Sequence, residues 1–301
     1  MKNKDILQRF LFEDAAIRGE FVHLDKTYQT IIHQHDYSPL IQRLMGEALV
    51  LIALLSATIK FQGRLSMQFQ GKGKLKLLLV QSNQDAHLRG LIQSGDDWAD
   101  EAELLRELKQ GVLVITVDPD DSTQRYQGIV SWQGNSLAES VEGYFRDSEQ
   151  LLTRIWIAVD ETSASGMLLQ AMPGEESKMH QAKPMMVNDP YWEHIVTLTD
   201  TIKAEELLTL ENKVILHRLY VQEDVRLFEA QPVIFRCTCS RKRGENAILM
   251  LGRTEADEEL HNKQQIVVTC EFCNTEFIFD RVDVEKIFRR GDTPPSSTQL
   301  H

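Results

Sequence analysis

The chain has 301 residues, 42% hydrophobic and 26% charged. That is enough apolar surface for a sizeable core and excludes wholesale disorder, and the length suggests two domains. With 33 basic and 45 acidic residues the formal charge is −12, which argues against a chain built to wrap nucleic acid. Residues 231–301 hold ten Lys/Arg and eleven Asp/Glu, so no basic sub-domain hides there.

Met1-Lys2-Asn3-Lys4-Asp5 leads into no apolar secretory core. The longest uncharged apolar stretch, Ala48 to Ile59, is short of the roughly 18–20 residues that span a bilayer. The chain is expected to be cytoplasmic, with no membrane partner. Phe10 to Leu24 reads as extended at its ends. Tyr37-Ser38-Pro39 opens a helix through about Thr58, with Pro39 in its first turn. Leu40, Leu44, Ala48, Leu51, Leu55 and Ile59 share one face, and the opposite face is also apolar, so this helix is expected to be buried on most sides.

Strands follow at 63–69, 75–82 and 87–93, separated by Gly71-Lys72-Gly73 and Ser82-Asn83-Gln84-Asp85. No helix lies between them, which predicts an antiparallel meander. A helix is expected at about 98–109, strands at 112–118 and 123–132, a helix at 137–148, and strands at 154–160 and 165–172. After Met172-Pro173-Gly174 the composition turns polar. Asp189-Pro190 starts a helix with the apolar stripe Trp192/Ile195/Val196, and a second helical segment covers about 203–220 with Leu207/Leu208. These stripes need a docking surface, and the covalently adjacent C-terminal module is expected to supply part of it. The class is α+β. Its expected parts are an N-terminal domain of antiparallel sheets with helices over 1–174, a helical linker over 175–232, a small zinc-binding module over 233–290 and a disordered tail over 291–301.

The cysteines carry the strongest chemical signal. Residues 1–236 hold none, and all four fall in Cys237-Thr238-Cys239 and, thirty residues later, Cys270-Glu271-Phe272-Cys273. In a reducing compartment such pairs read as metal ligands or redox groups rather than structural disulfides. Thiolates are soft ligands, and four of them suit tetrahedral zinc, with an iron–sulfur cluster or inert buried thiols as the alternatives. Asn274 stands where a left-handed residue closes the second turn. The module's apolar anchors are few: Ala247, Ile248, Leu249 and Leu251, Ile266 to Val268, Phe277 and Phe279, then Val284, Ile287 and Phe288. A segment of this size needs a staple, so metal binding would supply much of its folding free energy.

Three weaker motifs read as structure. Gly134-Asn135-Ser136-Leu137-Ala138 mimics a nucleophile elbow, but Ser136-Leu137-Ala138-Glu139 is a capping box among antiparallel strands. His33-Gln34-His35-Asp36 lacks a third ligand nearby. Gly71-Lys72-Gly73-Lys74 lacks the length and terminal hydroxyl of a phosphate loop and reads as a hairpin turn. No residue set proposes a turnover reaction, so the chain reads as not an enzyme.

The run Leu216-His217-Arg218-Leu219-Tyr220, then Glu223-Asp224-Val225-Arg226-Leu227-Phe228, leads into Phe235-Arg236-Cys237-Thr238-Cys239-Ser240. It resembles the redox-regulated 33 kDa heat-shock protein family of bacterial holdase chaperones, whose C-x-C-S…C-x-x-C pattern is met at Cys237, Cys239, Ser240, Cys270 and Cys273. Arg9 to Asp14, Arg18-Gly19-Glu20, Gly46-Glu47, Lys60 to Gly63, Tyr144-Phe145 and Ser148 to Leu151 extend the likeness over nearly the whole chain. Leu152 departs from it, standing where the family usually has proline. The resemblance implies one zinc per reduced chain on Cys237, Cys239, Cys270 and Cys273. Oxidation would form Cys237–Cys239 and Cys270–Cys273 disulfides, release zinc, unfold the linker and expose a surface for unfolding client proteins without ATP. It also implies a homodimer when oxidised and no nucleic-acid partner. Two other readings stay open: a zinc-ribbon nucleic-acid binder using Arg241-Lys242-Arg243 and Arg289-Arg290, and a thiol oxidoreductase using the C-x-x-C motif.

Overall fold

In the computed structural model, residues 4–59, 62–95, 97–120, 125–172 and 189–291 are described. The expected boundary at 174/175, the polar stretch after it, the start of the strand at 123, Lys60-Phe61 and the tail from 292 lie outside these residues. The chain falls into two compact units, Met1–Arg236 and Cys237–His301.

The first unit is built on two antiparallel sheets. Strands β1 (Ile6–Phe12) and β2 (Ile17–Leu24) form a hairpin; β3 (Gly63–Gln70), β4 (Leu75–Asn83) and β5 (His87–Ser94) form the expected meander. β6 (Val112–Pro119) and β7 (Tyr126–Val130) extend the meander sheet beyond β3, and β8 (Thr153–Val159) and β9 (Ala164–Ala171) extend the hairpin sheet beyond β2. Short strands complete both: β10 (Val225–Leu227) and β11 (Gln231–Pro232) pair with β1, and β12 (Ile234–Phe235) pairs with β5 in parallel. The sequence carries no signal for these last three, because segments of two or three residues are too short to show a period of two.

Helix α1 (Lys26–Ile32), also without a sequence signal, has its first N–H groups held by a distant residue: the Asp5 carboxylate accepts from Asp25, Lys26 and Thr27. Helix α2 (Pro39–Thr58) has the length and composition of a bilayer-crossing helix, yet it is the core element of this unit. Its residues from Ile41 to Leu55 share one buried cluster with Val22, Leu24 and Leu168 of the first sheet and Leu65, Met67 and Val80 of the second. Its C-terminal carbonyls are taken by arginines of the hairpin. Arg9 Nη2 donates to Ala57 (2.8 Å) and Arg18 Nη2 to Thr58 (3.0 Å), with the buried Glu20 carboxylate accepting from Arg9 Nε at 2.7 Å. Charge-assisted bonds here satisfy acceptors that a helix end otherwise leaves orphaned.

Helix α3 (Glu101–Gln110) is capped by Asp100, and α4 (Leu137–Tyr144) by Ser136, whose Oγ accepts from Glu139 N at 3.1 Å. The Glu139 carboxylate reaches back to Asn135 N rather than to Ser136 N, so the Gly134–Ala138 motif is a cap and not an elbow. The helix expected to run to 148 turns at Phe145 into a π-helical turn, Phe145–Glu149, closed by Gln150 in the left-handed region (φ 56°).

The segment expected as linker packs within the first unit. Helices α5 (Pro190–Thr199), α6 (Ala204–Thr209) and α7 (Asn212–Leu219) lay Trp192, Ile195, Val196, Leu207, Ile215 and Leu219 on the face of the first sheet away from α2. The break at Leu210–Glu211, both extended, splits the single helix expected over 203–220. That sheet face presents Phe10 and Phe12 of β1, Ile17 and Phe21 of β2, and Met167 and Leu169 of β9. Covered on both faces, β2 and β9 are buried along their whole length. Tyr220 closes the helical layer, 5.0 Å from the Phe12 ring, with its hydroxyl 2.5 Å from Thr199 Oγ1. Arg226 then pairs with Glu13 at 2.9 Å, and Phe228 N donates to the Arg9 carbonyl. Motifs some two hundred residues apart in the chain therefore meet. Leu152 packs on the rim of this aromatic cluster.

Gly19 stands opposite Phe10 in the β1–β2 register, and a Cβ there would lie 1.9 Å from Phe10 Cζ. Phe10 can lie flat under the linker helices only because this position has no side chain. Gly19→Ala is expected to destabilise the first unit by about 1–3 kcal/mol through overpacking, lowering the urea midpoint of sheet unfolding. An unchanged midpoint would show that the contact is not tight.

Candidate metal centre

The second unit is a small module around the four cysteines. Its elements are α8 (Arg241–Leu251), α9 (Arg253–Lys263), β13 (Ile266–Thr269), β14 (Glu276–Phe279) and α10 (Arg281–Gly291). α9 leaves little trace in the sequence pattern, because only Ala256 and Leu260 of its residues are buried. The module's core is Ile248, Ala256, Leu260, Ile266, Phe279, Val284 and Ile287.

Local geometry explains the residues beside the sulfurs. Ser240 follows Cys239 because it caps α8, its Oγ accepting from Arg243 N. Arg243 Nη1 donates to Thr238 Oγ1 at 2.9 Å, fixing the residue between the first two cysteines. The second pair sits on the turn between β13 and β14: the Cys270 carbonyl accepts from Cys273 N (3.2 Å) and Asn274 N (2.8 Å), and Asn274 takes the left-handed conformation expected of it (φ 51°). Cys270 N closes the loop on the Thr275 carbonyl at 3.0 Å.

The four sulfurs lie within 4.8 Å of one another and none is in a disulfide. The short approaches run between the motifs: Cys237 Sγ to Cys270 Sγ is 3.6 Å, and Cys239 Sγ to Cys273 Sγ is 3.4 Å. A tetrahedral ion with metal–sulfur bonds of about 2.3 Å needs sulfurs about 3.8 Å apart, so the cluster fits such an ion closely. Among the described residues this is the only cluster of Cys, His, Asp and Glu side chains able to hold a metal ion. Burial pushes the Cys239 thiol up to about 12, and it raises Cys270 as well. At Cys273 burial works the same way but is outweighed, chiefly by hydrogen bonds from the Thr275 hydroxyl and N–H, so this thiol falls to about 7. Without an ion the cluster cannot hold four negative sulfurs together; a bound cation removes that conflict and leaves every sulfur a thiolate.

The other motifs do not converge on chemistry. His33 Nδ1 lies 2.7 Å from the Gln29 carbonyl at the end of α1, and the His35 ring packs 5.3 Å from Tyr37. Gly71 to Lys74 forms the β3–β4 turn, with Lys74 paired to Glu103 at 2.9 Å. Of the basic run, Arg241 is held by Asp283 and the Ile278 carbonyl, and Arg243 by Thr238. The C-x-x-C turn joins two antiparallel strands and lacks the strand–helix setting of a thiol oxidoreductase. Sequence reasoning missed the aromatic face of Phe10, Phe12 and Phe21; the available signal was the alternation of Phe10 with Phe12 on one strand face.

A family model described as Hsp33 protein matches residues 5–280. A 33 kDa chaperonin of Pseudomonas paraeruginosa is 41% identical over 302 residues, covering 99% of this chain and 100% of its own. One from Shewanella sp. (strain MR-4) is 43% identical over 296 residues, covering 98% and 99%. The crystal structure of the 33 kDa chaperonin of Thermotoga maritima, at 21% identity, aligns with a TM-score of 0.80 over 96% of this chain and 100% of that one, so the fold is shared. From its β1 strand to the last residues before α10, the chain belongs to the Hsp33 family.

Proposed function

We propose that this protein is a redox-regulated, ATP-independent holdase chaperone of the cytoplasm. Family membership supports a chaperone function. The observation that carries the redox part is the sulfur cluster: four cysteines from two motifs, close enough for one ion, in a module with only seven buried apolar residues among those described. In the reduced state Cys237, Cys239, Cys270 and Cys273 would together hold one zinc ion. Zinc, when bound, supplies the charge that keeps all four sulfurs as thiolates and the cross-tie that holds the module folded.

The thiolates are also the nucleophiles. Peroxide or hypochlorous acid takes two electrons from each pair, forming the Cys237–Cys239 and Cys270–Cys273 disulfides. Each disulfide closes a loop within one motif, whereas the short sulfur approaches run between motifs. Oxidation therefore replaces a tie across the module by two local loops and removes the ligands. Reduction reverses it as long as no sulfur has gone on to sulfinic acid.

Cys237 follows β12, the last strand anchoring the linker to the second sheet, through Arg236, whose N–H donates to the Leu88 carbonyl at 3.0 Å. Unfolding of the module frees the chain directly beyond that anchor. The linker helices would then lift from the first sheet and uncover Phe10, Phe12, Phe21, Met167 and Leu169 together with their own stripes. This gives an apolar surface suited to unfolded clients, with dimerisation of the oxidised form as a further consequence. Nucleic acid and membrane have no part in this function.

Two measurements test it. Full-length Cys270→Ser/Cys273→Ser protein is expected to lack the one zinc per chain expected of the reduced wild type, and to be cut by protease within 237–291 without oxidant. Wild-type zinc content in this variant would remove these residues from the ligand set. Peroxide with mild heat is expected to release zinc, open 189–291 to protease and switch on suppression of client aggregation along one time course. Full suppression while zinc stays bound and 189–291 stays protected would show that unfolding is not the switch.

A further inference from the structure

A groove of about 620 Å³ lies within the C-terminal module, along β13. All four residues of that strand, Ile266 to Thr269, line it. Successive strand side chains point to opposite faces, so a lining that includes every one of them follows the edge of the strand rather than a face. The inner edge of β13 pairs with β14 from Ile266 opposite Phe279 to Thr269 opposite Glu276, and among the described residues the sheet has only these two strands. The outer edge therefore presents outward N–H and C=O groups along the groove, a ready template for another strand.

The opposite wall comes from α8 and α9. Leu251 is 47% exposed and, with the 43% exposed Val267, gives the groove an apolar floor beside Ile248. The rim is acidic: Glu255, Glu258 and Glu259 line one side, and among the described residues no lysine or arginine does. Glu259 is paired with Lys263 at 2.8 Å, whereas Glu255 and Glu258 carry no ion pair among the described residues. Three features thus coincide in one place: an unpaired strand edge, an apolar floor and a rim in which two of three carboxylates, Glu255 and Glu258, carry no ion pair among the described residues.

We propose that this groove binds an extended, basic segment of a partner polypeptide, which adds to β13 as a third strand. Apolar side chains of the segment would pack on Leu251 and Val267, and alternate Lys or Arg side chains would face Glu255 and Glu258. A second copy of this chain fits poorly. Two β13 edges paired about a twofold axis would bring their glutamate rims together, and like charges across such a pair repel. The groove exists only while the module is folded. On the redox reading above, the partner belongs to the reduced state and is released on oxidation; binding to the reduced protein does not depend on that reading.

The test uses full-length, reduced, zinc-loaded protein and a fluorescein-labelled peptide of about ten residues alternating Val and Lys, read by anisotropy. Saturable binding is expected, and a peptide of equal composition with Val and Lys in separate blocks is expected to bind more weakly. Glu255→Lys/Glu258→Lys, with zinc content matched to wild type, is expected to weaken binding by about tenfold or more, as is N-methylation of alternate peptide amides along one edge. Leu251→Ser gives a second variant that leaves the charges intact, and it should also weaken binding. No saturable binding, equal binding by the charge-reversed protein, or equal binding of both N-methylated registers would overturn the proposal. So would self-association of the wild type that the charge reversal alters, since a second copy would then be the occupant. Loss of peptide binding on oxidation, measured separately, tests only the link to redox state.

Discussion

Four sulfur atoms from two motifs separated by thirty residues of chain meet within 4.8 Å of one another. Their closest contacts, 3.6 and 3.4 Å, each join a C-x-C cysteine to a C-x-x-C cysteine, so the cluster is a tie between motifs rather than a pair of local loops. Seven buried apolar residues form its core, and much of α9 and the end of α8 faces solvent, with Met250 86% exposed. A metal ion on such a cluster is coupled to folding, with a structural zinc contributing on the order of 10 kcal/mol. That is comparable to the whole stability of an ordinary domain, so with zinc bound as proposed, removing the ligands would remove most of the reason for the module to fold.

The first unit is built to the opposite specification. Its core helix α2 is enclosed by two sheets, its C-terminal carbonyls are held by Arg9 and Arg18, and no cysteine lies within it. The first sheet, however, has two coverings of unequal kind. α2 covers one face as part of the main core. Three short helices cover the aromatic face, closed by Tyr220 and pinned by small polar contacts such as Trp156 of β8 to Asp200 after α5 and Asn212 of α7 to Gln8 of β1. A layer of short helices is the part of such a unit most easily opened, because each of them is marginal without its packing partner. On the proposed function, the chain would thus place a redox-sensitive tie next in sequence to a detachable layer over a stable apolar sheet.

Much of this was legible in the sequence, for identifiable reasons. Soft ligands at C-x-C and C-x-x-C spacing leave few alternatives to a metal site, and Asn274 plays the turn role its type suggests. α2 was legible from Pro39 and its all-round apolarity, and the β3–β5 meander from its turn residues. Several of the failures share one cause: stabilisation that comes from far along the chain. α1 is capped by Asp5, β10 to β12 exist because β1 and β5 offer edges, and the linker helices have meaning only against Phe10, Phe12 and Phe21. The cross-motif adjacency of the sulfurs is likewise a tertiary fact, which spacing alone does not contain.

Hydrogen–deuterium exchange on the reduced full-length protein, before and after zinc is withdrawn by a chelator, reads the central coupling directly. Loss of the ion should remove protection from β13, β14 and α8 to α10, lower it in α5 to α7, and leave α2, β2 and β9 as slow as before. Module amides that remain protected without metal would contradict the sulfur tie as the source of the module's stability.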